Sequence, residues 1–256
     1  MKHRDKQNLP KERIIGAAKK EFSERGFSGA RMSSIARRAA VNKALIHYYF
    51  KDKENLYLEV LKRIFAGTGS ASYIPDHLGK WDLTPSQKLY VSIFFIVNIF
   101  LKATDTDALR ILFWEIAEGG RNLDSLMMEY SVPRQNVLAG VVKEGIEKNE
   151  FESRHPLLSV MSIISFMSFY IINKEIYSGK SVFLEIYGRA DENDVFEFVL
   201  ELVFKSLKPK NRKLEIPDIP EDLKLLLDEL LKILIKKKDE GANEEVFKRV
   251  EYILKQ

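Results

Sequence analysis

Residues 33–61 read SSIARRAAVNKALIHYYFKDKENLYLEVL, and this stretch decides the fold. Apolar residues recur at helical spacing over Ser33–Ala39 and again over Lys43–Phe50, with only Ala40, Val41 and Asn42 between them. Two short helices joined by a three-residue turn are the sequence form of a helix-turn-helix. Its inner and outer faces separate cleanly. Ile35, Ala36, Ala39, Val41, Ile46 and Phe50 fall where they pack on Phe22, Phe27 and Leu56, which leaves Asn42, Lys43, Ala44, His47 and Tyr48 outward. A cation, an amide, an imidazole and a phenol on one helix face suit the phosphates and base edges of a major groove.

Working outward, a preceding helix is expected from Asn8–Pro10 to about Arg25, with Ile14, Ile15, Ala18 and Phe22 on one face and Gly26 as its stop. On the other side, Asp52 is a good N-cap for a helix reaching about Phe65. Residues 1–65 hold sixteen Lys or Arg against seven Asp or Glu, whereas the rest of the chain holds 25 against 30. The overall charge of +4 therefore conceals a basic end on a mildly acidic body, the electrostatic footprint of a segment that meets a polyanion. Lys2, Arg4 and Lys6 either extend that footprint as an arm or form a frayed basic terminus.

The 256 residues include 45% hydrophobic and 30% charged side chains, enough to bury a sizeable core. Cysteine is absent, which excludes disulfides, thiolate metal sites and cysteine nucleophiles. The N-terminus lacks the apolar stretch of a secretory signal, and a cytoplasmic location is expected. Two stretches are free of charge: Leu89–Leu101, too short to span a bilayer, and Pro156–Asn173, which carries four serines and reads better as a helix buried in a core or subunit interface. No membrane association, metal or cofactor is expected.

No long run alternates with the period of a half-buried strand, so the fold class is all-α. After a loop-like joint at Gly67–Leu83, Thr84, Pro85 and Gln87 form a capping box, and helices are expected near 85–103, 105–118, 122–149, 155–178 and 193–207. Pro133 should kink or divide the third of these. Lys208–Pro220 reads as a linker to an appended helical hairpin, with one stripe of Leu223, Leu226, Leu227, Leu230 and Leu234 and a second of Val246, Val250, Ile253 and Leu254. The expected domains are 1–66, 67–208 and 209–256.

Gly26-Phe27 followed by residues 33–61 resembles the N-terminal domain of the TetR family of transcriptional regulators, over about residues 10–65. The order Ile35-Ala36, Ala39-Ala40-Val41-Asn42-Lys43, Tyr48-Tyr49-Phe50 and Lys51-Asp52-Lys53-Glu54 carries the likeness. The resemblance implies a three-helix DNA-binding head, an all-α ligand-binding body and a homodimer formed mainly by the last two body helices. It implies that Asn42 and Lys43 begin the recognition helix, with Ala44, His47 and Tyr48 facing double-stranded DNA. Arg31 and Ser33 would serve the phosphates at the start of the second helix, Arg31 replacing a hydroxyl contact made by threonine in the family. Lys53 would touch a phosphate at the start of the fourth helix. Where the family commonly carries glycine stands Ala40, and a left-handed alanine costs roughly 1–2 kcal/mol.

In the body, Phe94, Phe95 and Asn98 share one helical face, and Phe166, Phe169, Tyr170 and Asn173 share another. These aromatics with amides among them are either core or the lining of a mostly apolar cavity. Trp114, Glu115 and Tyr130 lie between, and Glu115 would pair with a cationic ligand or with Arg110 or Arg121 on the surface. The resemblance implies a small effector, here lipophilic or aromatic, that lowers affinity for a palindromic operator and so releases a repressor. A helix-turn-helix protein acting through a protein partner at the C-terminal hairpin is the alternative. HExxH, GxSxG, GxxxxGK[ST] and a GxGxxG opening a helix are all missing, so an enzyme is the least supported reading.

Overall fold

The computed structural model describes residues 2–67, 82–207 and 215–236. Every element among them is helical: α1 (Lys2–Gly29), α2 (Met32–Arg38), α3 (Lys43–Phe50), α4 (Lys53–Gly67), α5 (Pro85–Ala103), α6 (Thr106–Ala117), α7 (Leu123–Leu126), α8 (Val132–Glu147), α9 (Pro156–Tyr177), α10 (Ser181–Tyr187), α11 (Glu192–Ser206) and α12 (Glu221–Lys236). A five-residue π-helical stretch, Met127–Ser131, separates α7 from α8, so the long helix expected at 122–149 is divided just before Pro133. Two compact units result. The first joins the chain up to Gly67 with Asp105–Tyr130, and the second contains the remaining described residues.

In the first unit α1 packs on α2, α3, α4 and α6. Ile14, Ala18 and Phe22 of α1 meet Ile35, Ile46, Leu56 and Leu61 in one core, to which Ile111 and Leu126 also belong. Each of these isoleucine, leucine and phenylalanine side chains contributes about 1.5–3 kcal/mol by leaving water. α1 begins earlier than expected and continues past Gly26, which takes φ 65° and ψ 178° and breaks the helix. That break exposes carbonyls which later residues use. Asp52 caps α4 as expected, its Oδ1 accepting from Asn55 N–H at 2.8 Å.

In the second unit α5 is central and touches α8, α9, α11 and α12. Its start is the expected capping box of Thr84 and Gln87 with Pro85 inside the first turn. Lys88, largely buried on α5, donates to Glu144 on α8 at 3.0 Å. The Lys148 ammonium, with Lys88 behind it, holds the Glu144 carboxyl below its ordinary value. α5 and α9 are both long and apolar enough to cross a membrane. α5 is instead enclosed: Leu89, Ile93 and Val97 are buried, and Val91 and Phe95 pack against Leu223, Leu226, Leu227, Leu230 and Leu231 of α12. The leucine stripe of the appended segment thus folds back onto its own chain. The second expected stripe, Val246 to Leu254, lies outside the described residues, as do most of the Gly67–Leu83 joint and the first part of the Lys208–Pro220 linker.

α9 differs from α5. Val160, Ile163, Met167 and Tyr170 are buried, while Leu157, Leu158, Phe169 and Ile176 are exposed; on α11 Phe198 and Leu202 are exposed as well. α10 is an element that the sequence pattern does not predict. Its seven residues lie between Gly179 and Gly188, and Phe183 and Tyr187 close on Tyr170, with ring centroids 6.3 and 5.3 Å away.

Candidate nucleic-acid interface

The turn between α2 and α3 closes by two backbone hydrogen bonds: Ala40 N–H donates to Arg37 O at 3.2 Å, and Val41 N–H to Ala36 O at 3.0 Å. This pairing requires a left-handed residue between them, and Ala40 takes φ 51°. α3 then starts at Asn42, whose Oδ1 accepts from Leu45 N–H at 2.8 Å. Ile46 and Phe50 are buried beneath, which fixes the rotation of the helix and turns Lys43, Ala44, His47 and Tyr48 to solvent. Tyr48 is 79% exposed, a large aromatic left outside by a well-formed core.

Buried charge holds this helix pair to α1. Glu21, 1% exposed, accepts from Arg38 Nε at 3.0 Å and pairs with Arg25 at 3.4 Å, and Arg38 also bonds Glu24. On α4, Arg63 bonds Glu12 and Glu59. From α6 and its N-cap, Asp105 and Asp107 take Lys19 and Lys20. Arg31, Arg37, Lys43 and Lys51 are exposed, and none of the ion pairs among the described residues engages them. Around α2 and α3 this leaves a group of uncompensated cations, where a polyanion is well received.

Two residues expected to serve DNA are also engaged within the protein. Asn42 spends its side-chain oxygen as the cap of α3, leaving its NH2 for an external acceptor. Lys53 points inward: its Nζ donates to Phe27 O at 2.8 Å and Ala30 O at 3.2 Å and lies 4.4 Å from the centre of the Phe27 ring. One of its three N–H groups is left for a phosphate. Arg31 and Ser33 are exposed at the start of α2, which has no side-chain cap.

The ten residues expected around an effector divide between the units. Trp114, Glu115 and Tyr130 belong to the first. Glu115 is buried rather than on the surface; Tyr57 donates its hydroxyl to Oε2 at 2.8 Å, and Asn122 N–H donates to Oε1 at 2.8 Å. Burial and then this carboxylate push the Tyr57 phenol above its ordinary value. Trp114 donates Nε1 to Ser23 O at 3.3 Å beside Gly26, and Tyr130 lies 6.3 Å from Phe65 between ring centres. In the second unit Asn98 and Asn173 turn their amides back to Phe94 O and Phe169 O of their own helices. Phe95 is core, Phe166 stacks on Tyr170 and meets Phe198, and Phe169 is 61% exposed. A cleft of about 450 Å³ opens beside Tyr90, Phe196, Leu200, Ile216 and Ile219, with Glu197, Asp218 and Lys224 on its polar side. None of the ten lines it, but Phe94 backs Phe196 edge-on at 5.8 Å. Sequence periodicity does not single out this cleft, because part of its wall is the irregular segment before α12.

Comparison with known proteins agrees with this geometry. The profile of bacterial regulatory proteins of the tetR family matches residues 14–60. The HTH-type transcriptional repressor NicS of Pseudomonas putida is 28% identical over 206 residues, covering 77% of this chain and 92% of that protein. The HTH-type transcriptional regulator RutR of Escherichia coli is 46% identical over 54 residues, 21% of this chain and 26% of its own. Among solved structures, HlyIIR, a hemolysin II transcriptional regulator, superposes with a TM-score of 0.55 at 26% identity, over 80% of this chain and 99% of that one. With its helix-turn-helix head and the all-helical body of the described residues, the chain is similar to the TetR family of transcriptional regulators: residues 14–60 match that family's profile, and the repressor NicS is matched over 92% of its length.

Proposed function

We propose that this protein is a ligand-responsive repressor whose two copies set α3 into successive major grooves of a palindromic operator and are released by a small, mainly apolar effector. The observation that carries the reading is the outward row Lys43, Ala44, His47 and Tyr48 on a helix whose other side is locked by Ile46 and Phe50. Arg31 and Ser33, the free amide hydrogens of Asn42 and the remaining N–H of Lys53 supply phosphate contacts that set register.

Two symmetric heads are needed to meet half-sites about 34 Å apart. The exposed apolar side chains of α9 and α11, Leu157, Leu158, Phe169, Ile176, Phe198 and Leu202, supply the face for a homodimer. This use of α9, together with the enclosure of α5, accounts for both apolar helices in a cytoplasmic protein without a membrane span. It also weakens the partner-protein alternative, since the leucine stripe of α12 is spent on α5.

The effector is assigned to the second unit, in the cleft beside Tyr90 and Phe196 and among the neighbouring aromatics Phe94, Phe166 and Tyr170. The chain leaves that unit at Thr104 and enters the first at Asp105, which takes Lys19 and stands two residues before Asp107, which takes Lys20. An effector that binds the non-DNA conformation more tightly lowers operator affinity by that difference. The test is selection of genomic fragments by the purified protein at moderate salt. A palindromic site should be enriched and its binding should fall steeply with salt. General salt-sensitive binding with no enriched site would overturn the proposal.

A further inference from the structure

His47 sits in the middle of the outward face of α3, and both its backbone and its ring are bonded to Lys51, one helical turn on. Lys51 N–H donates to His47 O at 2.9 Å as the backbone cap of the helix, and His47 Nδ1 lies 2.6 Å from Lys51 O. A carbonyl oxygen offers only lone pairs, so the hydrogen of this short contact resides on Nδ1. A neutral imidazole carries a single N–H. In that neutral form Nε2, at the other end of the ring of this exposed residue, is a bare acceptor.

This assignment restricts what the residue can recognise on DNA. Phosphate oxygens carry no hydrogen, so two acceptors would face each other and no bond would form. Guanine presents only N7 and O6 in the major groove, both acceptors, and thymine presents O4 and a methyl group. The donors available there are the N6 amino group of adenine and the N4 amino group of cytosine. We propose that His47 is a specificity-determining residue that accepts a hydrogen bond from the exocyclic amino group of one adenine or cytosine in each half-site. The inference rests on the reading that α3 enters the major groove. It assigns to His47 a base contact, distinct from the cationic contacts of Lys43 and Arg31.

The test has three arms. Nitrogen-15 NMR of histidine-labelled protein at neutral pH should show a pyridine-type Nε2 and a pyrrole-type Nδ1 for His47; the reverse pattern removes the premise. Selection from a random duplex library should give the wild type one fixed base pair in one orientation at the position that His47 reads, while His47→Arg, which has donors only, should change that pair or reverse its strands to present guanine N7 and O6 and leave the other positions unchanged. In the selected site, replacing the adenine or cytosine of that pair by an analogue lacking only the amino group, purine for adenine or 2-pyrimidinone for cytosine, should weaken wild-type binding roughly five- to tenfold. His47→Ala should be indifferent to the same replacement. If His47→Ala instead weakens all sequences equally and reduces the salt slope by about one, His47 contacts a phosphate and the proposal is wrong. A wild-type selection that enriches no site sinks the major-groove reading of α3, and this inference with it.

Discussion

Three described helices end in the same hydrogen-bonded pattern, with a left-handed residue just after the last helical turn. After α6 that residue is Gly119 at φ 99°, after α8 it is Asn149 at φ 59°, and after α2 it is Ala40 at φ 51°. Glycine and asparagine take this conformation readily, whereas alanine brings its Cβ against the following carbonyl at a cost of about 1–2 kcal/mol. Ala40 is exposed, so its methyl group contributes little packing in return. Ala40→Gly should relieve that strain while adding about 0.4–1 kcal/mol of unfolded-state entropy. The net expectation is a stabilisation of about 0.5–1 kcal/mol, or roughly 1–4 °C in melting midpoint for a protein of this size. Ala40→Val, with a branched Cβ in the same conformation, should be less stable than the parent. Urea and thermal unfolding of the three proteins side by side read out the difference. An Ala40→Gly variant no more stable than the parent, or an Ala40→Val variant equal to it, would refute the reasoning that this turn stores strain.

Tyr57→Phe should cost about 1.5–3 kcal/mol, because the buried Glu115 carboxylate loses a donor it cannot replace from water. The parent phenol keeps its proton in the fold where the unfolded chain, with an ordinary value near 10, has lost it. Its stabilising contribution is therefore present below about pH 10 and fades as pH rises beyond that, and unfolding curves of the phenylalanine variant should lack this component. Gly145→Ala would place a Cβ 2.1 Å from the Phe151 ring, and overpacking of about 1–3 kcal/mol or more should appear in urea unfolding; an unchanged midpoint would mean the α8–Phe151 packing is wrong. Phe169→Glu combined with Phe198→Glu should leave the folded monomer intact and abolish the dimer in sedimentation, lowering operator affinity roughly a hundredfold or more as avidity is lost. A persistent dimer would move the interface elsewhere.

Much of the head is legible in the sequence because its signals are local. The bounds of α3, its buried Ile46 and Phe50 and its exposed Lys43, His47 and Tyr48 follow from spacing over eight residues, and the caps at Asp52 and Thr84 from single turns. Asn42 as a cap is also within reach of local rules, since it stands three residues before the amide it accepts from. The inward turn of Lys53 is not, because its acceptors exist only where Gly26 interrupts α1, 27 residues earlier in the chain. Nor is the placement of Trp114 and Glu115. Helical periodicity reports which face of α6 is apolar, but which helices that face meets depends on pairings such as Lys20 with Asp107, 87 positions apart. The cleft escapes for the same reason, its walls coming from α5, α11 and the segment before α12. α10, seven residues between glycines, is too short for a periodic signal.

The central claim is that the outward face of α3 recognises an operator. Its most direct test is the affinity of a Lys43→Ala, Tyr48→Ala variant for the palindrome selected by the parent protein, measured by fluorescence anisotropy at fixed salt. Both side chains are exposed, so helical content and dimer mass should be unchanged. The account predicts that the variant binds the palindrome at least tenfold more weakly, since each side chain that reads a base supplies about 1–3 kcal/mol. A variant that binds the palindrome as tightly as the parent, with the same preference over unrelated DNA, would contradict it.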